Sequence, residues 1–463
     1  MPAIAPYSLT ANAYINGILG NYKWANNSLT YSFPTDASFY GKSYGAAENM
    51  TNFGVLSTTQ QATAHNALKT FSSIANLTFT KTAETATQHA DLRFAISDKE
   101  ETAWAYLPAT APEGGDVWFN SSNGYYISPA KGNYANLVFL HEIGHALGLE
   151  HAHEGTIMPY DRDSMEFTVV SYRSYVGAST TAGYTNETWG YAQSLMMYDI
   201  AAVQHMYGAN YATNSGNTKY SWHSNTGEMA IDGVGQGTPG ANRILLTVWD
   251  GGGSDTYDFS NYANNLKVDL RPGEWTTTSR TQLAKLHWDG SKVAVGNIAN
   301  ALLHNGDKRS LIENAVGGSG SDALTGNDAN NRLAGGTGSD RLSGLSGSDN
   351  LDGGVGADML SGGAGGDIFD FNAAKDSLPA ARDTILDFVR GADRIDLRNV
   401  DANAGAAGDQ AFSFIGSKSF SGHVGQLNFS SNVLSGDVNG DKVADLRIIV
   451  SGLSSLAATD FYL

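Results

Sequence analysis

Between Gly317 and Asp370 the chain repeats itself every nine residues, as GGSGSDALT, GNDANNRLA, GGTGSDRLS, GLSGSDNLD, GGVGADMLS and GGAGGDIFD. The eighth position of these six units is Leu324, Leu333, Leu342, Leu351, Leu360 and Phe369. A flexible Gly/Ser/Asp linker needs no apolar residue at a fixed phase. One apolar residue per nine requires that short units stack on one another, since a single unit cannot enclose its own apolar side chain. Gly is abundant, at 54 of 463 residues, but with 10 Pro and no G-X-Y period the chain is not collagen-like.

The units follow the GGxGxDxUx pattern of a calcium-binding parallel β-roll. Gly permits the tight turn and exposes backbone carbonyls. The sixth position supplies carboxylate oxygen from Asp322, Asp340, Asp349, Asp358 and Asp367. In the second unit Asn327, Ala329 and Asn331 hold positions two, four and six, where amide and carbonyl oxygens still suit Ca²⁺. The block contains eight Asp against two Arg, with no Glu, a net charge of −6. Such a stack repels itself open without cations, so metal binding there is folding free energy. The whole chain has 28 basic and 46 acidic residues, a net charge of −18. That balance argues against nucleic acid and anionic membrane as partners. There is no Cys. Disulfides and thiolate metal sites are therefore excluded, and any transition metal must use His and carboxylate.

Residues 1–210 have a different texture, a mixture of α and β. Leu29–Phe33, Ala90–Ala95, Trp104–Leu107 and Val117–Phe119 are strand candidates. Thr59–Leu77, Leu137–Leu149 and Leu195–Met206 are expected helices, the last closed by Gly208. Beyond about Ala209 helical periodicity vanishes, and short strands such as Ile244–Trp249 alternate with Gly-rich turns. The boundary is placed at 212/213. The fold class expected is an α+β domain over 1–212, then an all-β domain over 213–463 with a parallel β-roll. No apolar run reaches the ~18 residues of a membrane span. The first charged residue is Lys23, so no basic n-region of a secretory signal opens the chain.

Residues 141–151 read His-Glu-Ile-Gly-His-Ala-Leu-Gly-Leu-Glu-His. On a helix His141 and His145 share a face about 6 Å apart along the axis, where both imidazoles reach one Zn²⁺. Gly148 lets the chain turn out of the helix, so that His151 returns as third ligand. A fourth position stays open for water, the mark of a catalytic site. Glu142, offset on the same helix, is placed to take that water's proton. The bare HExxH is weak, but the form extended by Gly148 and His151 is specific. His153 and Glu154 are expected to be solvated loop residues, and His205 a packed or hydrogen-bonding histidine.

HEIGHALGLEH followed by a Gly-rich nonapeptide array resembles the serralysin family, the repeat-bearing metzincin metalloendopeptidases secreted by Gram-negative bacteria. YKWANNSLTYSF, YDIAAVQHMYGAN, VWDGGGSDTYDFSNY and IENAVGGSGSD extend the resemblance over nearly the whole chain. It implies zinc on His141, His145 and His151, Glu142 as general base, and Tyr172 as a residue that ligates zinc or stabilises the oxyanion. The family's Met two residues before that Tyr is Val170 here. Met158, seven residues past His151, is a competing candidate that resembles the closer turn of matrixins. For calcium the resemblance implies Asn214, Gly216, Thr218, Asp250, Gly252, Gly253, Asp255, Leu311 and Glu313 before the roll. Within it, it implies Gly318, Gly320, Asp322, Asn327, Ala329, Asn331, Gly335, Gly336, Gly338, Asp340, Asp349, Gly353, Gly354, Gly356, Asp358, Gly362, Gly363, Gly365 and Asp367. Asp376 and Asp383 follow it. The tail Asp460-Phe461-Tyr462-Leu463 resembles the signal read by type I secretion machinery, although an ordinary terminal strand reads the same way. The implied partners are extended polypeptide substrates, paired to an edge strand near Trp104–Leu107, that secretion machinery and a periplasmic protein inhibitor, for a monomer outside the cell. Family members carry a short pro-segment; the uncharged residues 1–12 suit a mature form with an added or native Met1. A second reading, a calcium-dependent adhesion protein with an inactive metzincin domain, rests on Val170 alone.

Overall fold

The computed structural model describes residues 3–41 and 44–463, so Met1 lies outside them. Strands β1 (Ser28–Ser32), β2 (Thr78–Lys81), β3 (Leu92–Ile96), β4 (Trp104–Ala105) and β5 (Val117–Phe119) form a sheet of order β2-β1-β3-β5-β4. Only β4 is antiparallel to its neighbour, and it lies at the sheet edge. Helix α1 (Thr58–Ile74) starts at a reciprocal cap between Ser57 and Gln60 and buries Ala64, Ala67, Leu68, Phe71 and Ile74 at helical spacing.

Helix α2 (Tyr134–Ala146) begins three residues before the expected start, because the Asn133 side chain accepts from the Asn136 N–H at 2.9 Å. It also ends three residues early. Gly148 adopts φ +110°, and a Cβ there would lie 2.8 Å from the Tyr22 carbonyl oxygen. That leaves Leu147 and Leu149 in the exit loop, both buried. Helix α3 (Met197–Tyr207) packs beside α1.

From Lys219 onward the described residues contain strands, turns and short 3-10 segments but no α-helix. Repeat strands alternate between two sheets. Ala323–Thr325, Arg341–Ser346 and Met359–Ala364 lie in one, and Arg332–Ala334, Asn350–Asp352 and Ile368–Asp370 in the other. All these neighbours are parallel. Leu324 pairs with Leu342 and Leu342 with Leu360, while Leu333 pairs with Leu351 and Leu351 with Phe369. These six side chains are buried in one continuous core. The second ladder continues through Ile395 to Phe461, so the chain's last residues form a strand of the sheet. Leu345 takes a turn position usually held by Gly and shows φ +78°, a left-handed conformation that costs an L-residue roughly 1–2 kcal/mol.

The core of the first half is not confined to residues before 213. Leu245, Trp249, Trp275, Leu286 and Ala299 join it. No described helix is long and apolar enough to cross a membrane.

Candidate metal centres

The three histidines of the extended motif converge. Their Nε2 atoms lie 3.0 Å apart for His141 and His145, 2.9 Å for His145 and His151, and 3.3 Å for His141 and His151. Each Nδ1 faces an oxygen: Val169 O at 2.7 Å from His141, Leu149 O at 2.7 Å from His145, and Glu154 Oε2 at 3.0 Å from His151. An Nδ1 that donates its proton leaves a lone pair on Nε2. Burial, the first cause in each case, pushes all three imidazoles below their ordinary range, so protonation does not relieve the crowding. Three lone pairs aimed at one another fit one cation. Tetrahedral ligands at 2.0–2.1 Å from zinc would stand roughly 3.3–3.4 Å apart, close to the spacing here.

His153 and Glu154 are loop residues, as expected, and Glu154 is exposed, but both lie beside the triangle. His153 stacks beside His151 at 5.5 Å, and Glu154 orients His151. The loop turns back at Gly148, which brings both onto the histidine face. The segment 168–172 also lies against the site. Val170 is buried near Gly144 of α2, and the Tyr172 ring centre is 4.4 Å from that of His151. Met158 instead packs on Gly17. Asp199, in the first turn of α3, accepts from Thr168 Oγ1, Val169 N and Met196 N at 2.5–2.8 Å. It thereby fixes the carbonyl that orients His141, a role left unassigned above although an acid in the first turn of an apolar helix is a visible signal. Glu142 is buried, which pushes its carboxyl up to about 8. It opens onto a cavity of about 580 Å³ lined by Tyr134, Leu137, Val138, Tyr172, Tyr184 and Tyr191.

In the repeats, one oxygen of the sixth-position Asp caps a backbone N–H two units earlier from Asp340 onward, while Asp322 caps Leu266 N ahead of the repeats. Asp340 accepts from Asp322 N, Asp358 from Asp340 N, and Asp367 from Asp349 N, all at 2.7–2.9 Å. The second oxygen is left without a partner: Oδ2 of Asp340, Asp349, Asp358, Asp367 and Asp383 is buried and unbonded among the described residues. Burial is the first cause of raised values, about 7 for Asp340 and Asp349, about 6 for Asp358 and about 8 for Asp383. The glycines hold the turns close. A Cβ at Gly356 would meet Gly338 O at 1.6 Å, and one at Gly365 would meet Gly347 O at 1.6 Å. Earlier in the chain, Thr218 bonds the Asn214 and Gly216 carbonyls and Asp255, Asp255 N bonds Glu313, and Gly252 N bonds Asp250. Asp255 Oδ2 is another buried orphan. Gly253 stands against Gly216 O. Leu311 is buried, and its N–H bonds the Lys308 carbonyl. Asp376 bonds its own turn at Asn372 N and Ala373 N. Asp393 continues the ladder by accepting from Asp367 N, a role left unassigned above because its offset is no longer 18 residues.

The family model for the serralysin C-terminal region of M10 peptidases matches residues 209–463, and the matrixin model matches residues 23–169. Metallopeptidase AprA of Pseudomonas marginalis is 36% identical over 93% of this chain and 85% of that protein. Metalloprotease AprA of Pseudomonas entomophila is 37% identical over 94% of this chain and 84% of that protein. The serralysin of Proteus mirabilis is 38% identical over 87% of this chain and 80% of that protein. The chain belongs to the serralysin family. It is a zinc metalloendopeptidase of that family, and its substrates are polypeptides. A solved subunit of the Azotobacter vinelandii mannuronan C5-epimerase matches 32% of this serralysin and 80% of its own chain at 27% identity, with a TM-score of 0.23, too low to bear on the fold.

Proposed function

We propose that this serralysin is a secreted, calcium-stabilised endopeptidase in which His141, His145 and His151 hold the zinc and Glu142 is the general base. The carrying observation is the triangle of Nε2 lone pairs beside a buried carboxylate at the edge of a cavity. Bound zinc would supply Lewis acidity, polarising the scissile carbonyl and acidifying water. The chain does the rest. Glu142 accepts a proton from the attacking water and passes it to the leaving amine. Tyr172 donates its hydroxyl to the oxygen that gains charge. The tyrosine-lined cavity takes a side chain flanking the scissile bond and excludes water around it. The edge strand β4 offers unpaired backbone to an extended substrate.

We assign the catalytic unit to residues 1–212 and the calcium-binding unit, a parallel β-roll, to 213–463. Calcium on the orphaned Asp oxygens and on the Asn214–Glu313 cluster completes the second unit. At low cytosolic calcium the roll stays open, which suits passage through a type I exporter that reads the C-terminus, followed by folding outside the cell. A periplasmic protein inhibitor is the expected further partner. Glu142→Gln tests the catalytic assignment. It is expected to lower kcat on casein by roughly 10²–10⁴-fold with zinc content unchanged, and wild-type turnover in that variant would overturn the assignment.

A further inference from the structure

Residues 163–196 contain no helix or strand, yet they carry Tyr172, Tyr184 and Tyr191, which wall the cavity beside Glu142. An irregular segment of that length keeps its shape only through bonds to its surroundings. Some are internal to the first half: Met165 N to Arg173 O, Tyr184 OH to Ser171 O, and Ser171 Oγ to Asp163. The end of the segment is held by residues 243–247, through Gln193 N to Leu245 O and Thr247 N to Ser194 Oγ, and a further set of bonds comes from a hairpin far along the chain, residues 285–295, closed by a bridge between Lys285 and Val293. Thr185 Oγ1 donates to Leu286 O at 2.8 Å, Trp288 N to Thr185 O at 2.7 Å, and Glu187 N to Lys285 O at 3.2 Å. Val295 N donates to Glu166 Oε1 at 2.9 Å. Glu166 is buried, and Ser164 is its other hydrogen-bond partner. Leu286 and Ala294 sink into the first core from the same hairpin.

We propose that this hairpin is a positioning element of the peptidase site, and that Glu166 is the positioning residue that couples it to Tyr172. The proposal rests on the peptidase reading above. The buried carboxylate receives one hydrogen bond from each half of the chain, so removing it loosens the start of the wall segment from the end of the hairpin, leaves the bonds at Thr185 and Glu187 in place, and touches neither the histidines, Glu142 nor the cavity lining. Tyr172 then samples positions from which its hydroxyl misses the developing oxyanion, and the loss falls on kcat.

The test uses the full chain with zinc and calcium bound and a short internally quenched peptide. Glu166→Ala is expected to lower kcat about tenfold, with KM within twofold and one zinc per chain retained. Glu166→Gln, which keeps an acceptor for Val295 N–H, is expected to restore at least half of the activity. Ile448→Val, in the core of the second half, is the stability control: it lowers Tm and leaves kcat alone. Should the alanine variant fail to fold, Thr185→Val, which removes only the bond to Leu286, is read by the same assay and is expected to cost two- to threefold in kcat. A Glu166→Ala protein that loses Tm but keeps wild-type kcat, a Gln variant no better than Ala, or a Thr185→Val variant with unchanged kcat overturns the proposal. A wild-type chain that cleaves no peptide refutes the peptidase reading instead.

Discussion

At the histidine triangle, every ring is oriented by an oxygen of the protein, and burial already disfavours a proton on all three imidazoles. In the repeat stack, Asp340, Asp349, Asp358 and Asp367 each use one oxygen to cap a neighbouring turn and leave the other buried and unbonded. The first site is set by hydrogen bonds that survive without metal. The second accumulates negative charge that the fold alone cannot neutralise. The largest expected effect follows from that difference. Selective calcium removal at pH 8, where these carboxylates ionise, is expected to abolish the cooperative unfolding transition of the second half and most of its far-UV CD. Zinc removal at fixed calcium is expected to abolish peptide hydrolysis while leaving the CD spectrum and that transition in place. Loss of secondary structure upon zinc removal alone would erase the contrast.

The two sites were unequally legible. The nine-residue period was enough to phase Leu324 through Phe369 into one core, and the repeat of His141, Glu142, His145, Gly148 and His151 was enough to place three rings on one point. What the sequence hid was long-range. Asp393 extends the ladder at an offset of 26 residues instead of 18, because the turn after Asp370 lengthens and the period breaks. Glu154 and His153 are the loop residues expected, but their place beside His151 was hidden, because only the reversal at Gly148 turns them toward it. Leu245 and Leu286 gave no sign of joining the first core, since contacts across so much chain leave no periodic trace.

A smaller effect sharpens the comparison through pH. Without cations, Asp340, Asp349, Asp358 and Asp383 have folded values of about 6 to 8, raised by burial, against about 3.9 unfolded. The folded state then binds more protons, so cation-free stability is highest near the unfolded value and falls as pH rises through 6 to 8. With calcium bound the same carboxylates are held ionised, and stability is lost only as pH falls below about 3.9. A calcium-free urea transition should therefore be present at pH 5.5 and lost by pH 8, while the calcium-loaded midpoint stays level between the two. A calcium-free chain that gains no transition at pH 5.5 would show that the orphaned oxygens do not carry the charge that calcium neutralises.

The smallest expected effect concerns Val170, two residues before Tyr172. Val170 is fully buried, and its Cγ1 would be 3.6 Å from a Cβ placed on Gly144 of α2. The His141 orientation does not depend on that side chain. It depends on the Val169 carbonyl, which Asp199 pins by accepting from Val169 N and Thr168 Oγ1. Val170→Met adds volume to a filled space and should cost about 1–3 kcal/mol of stability by overpacking. Zinc affinity and kcat, set by backbone and imidazole contacts, should stay within about threefold of the parent. A tenfold gain in zinc affinity in the Met variant would instead show that the side chain beneath the metal site, and not the Asp199-anchored backbone, determines how well the histidines are held.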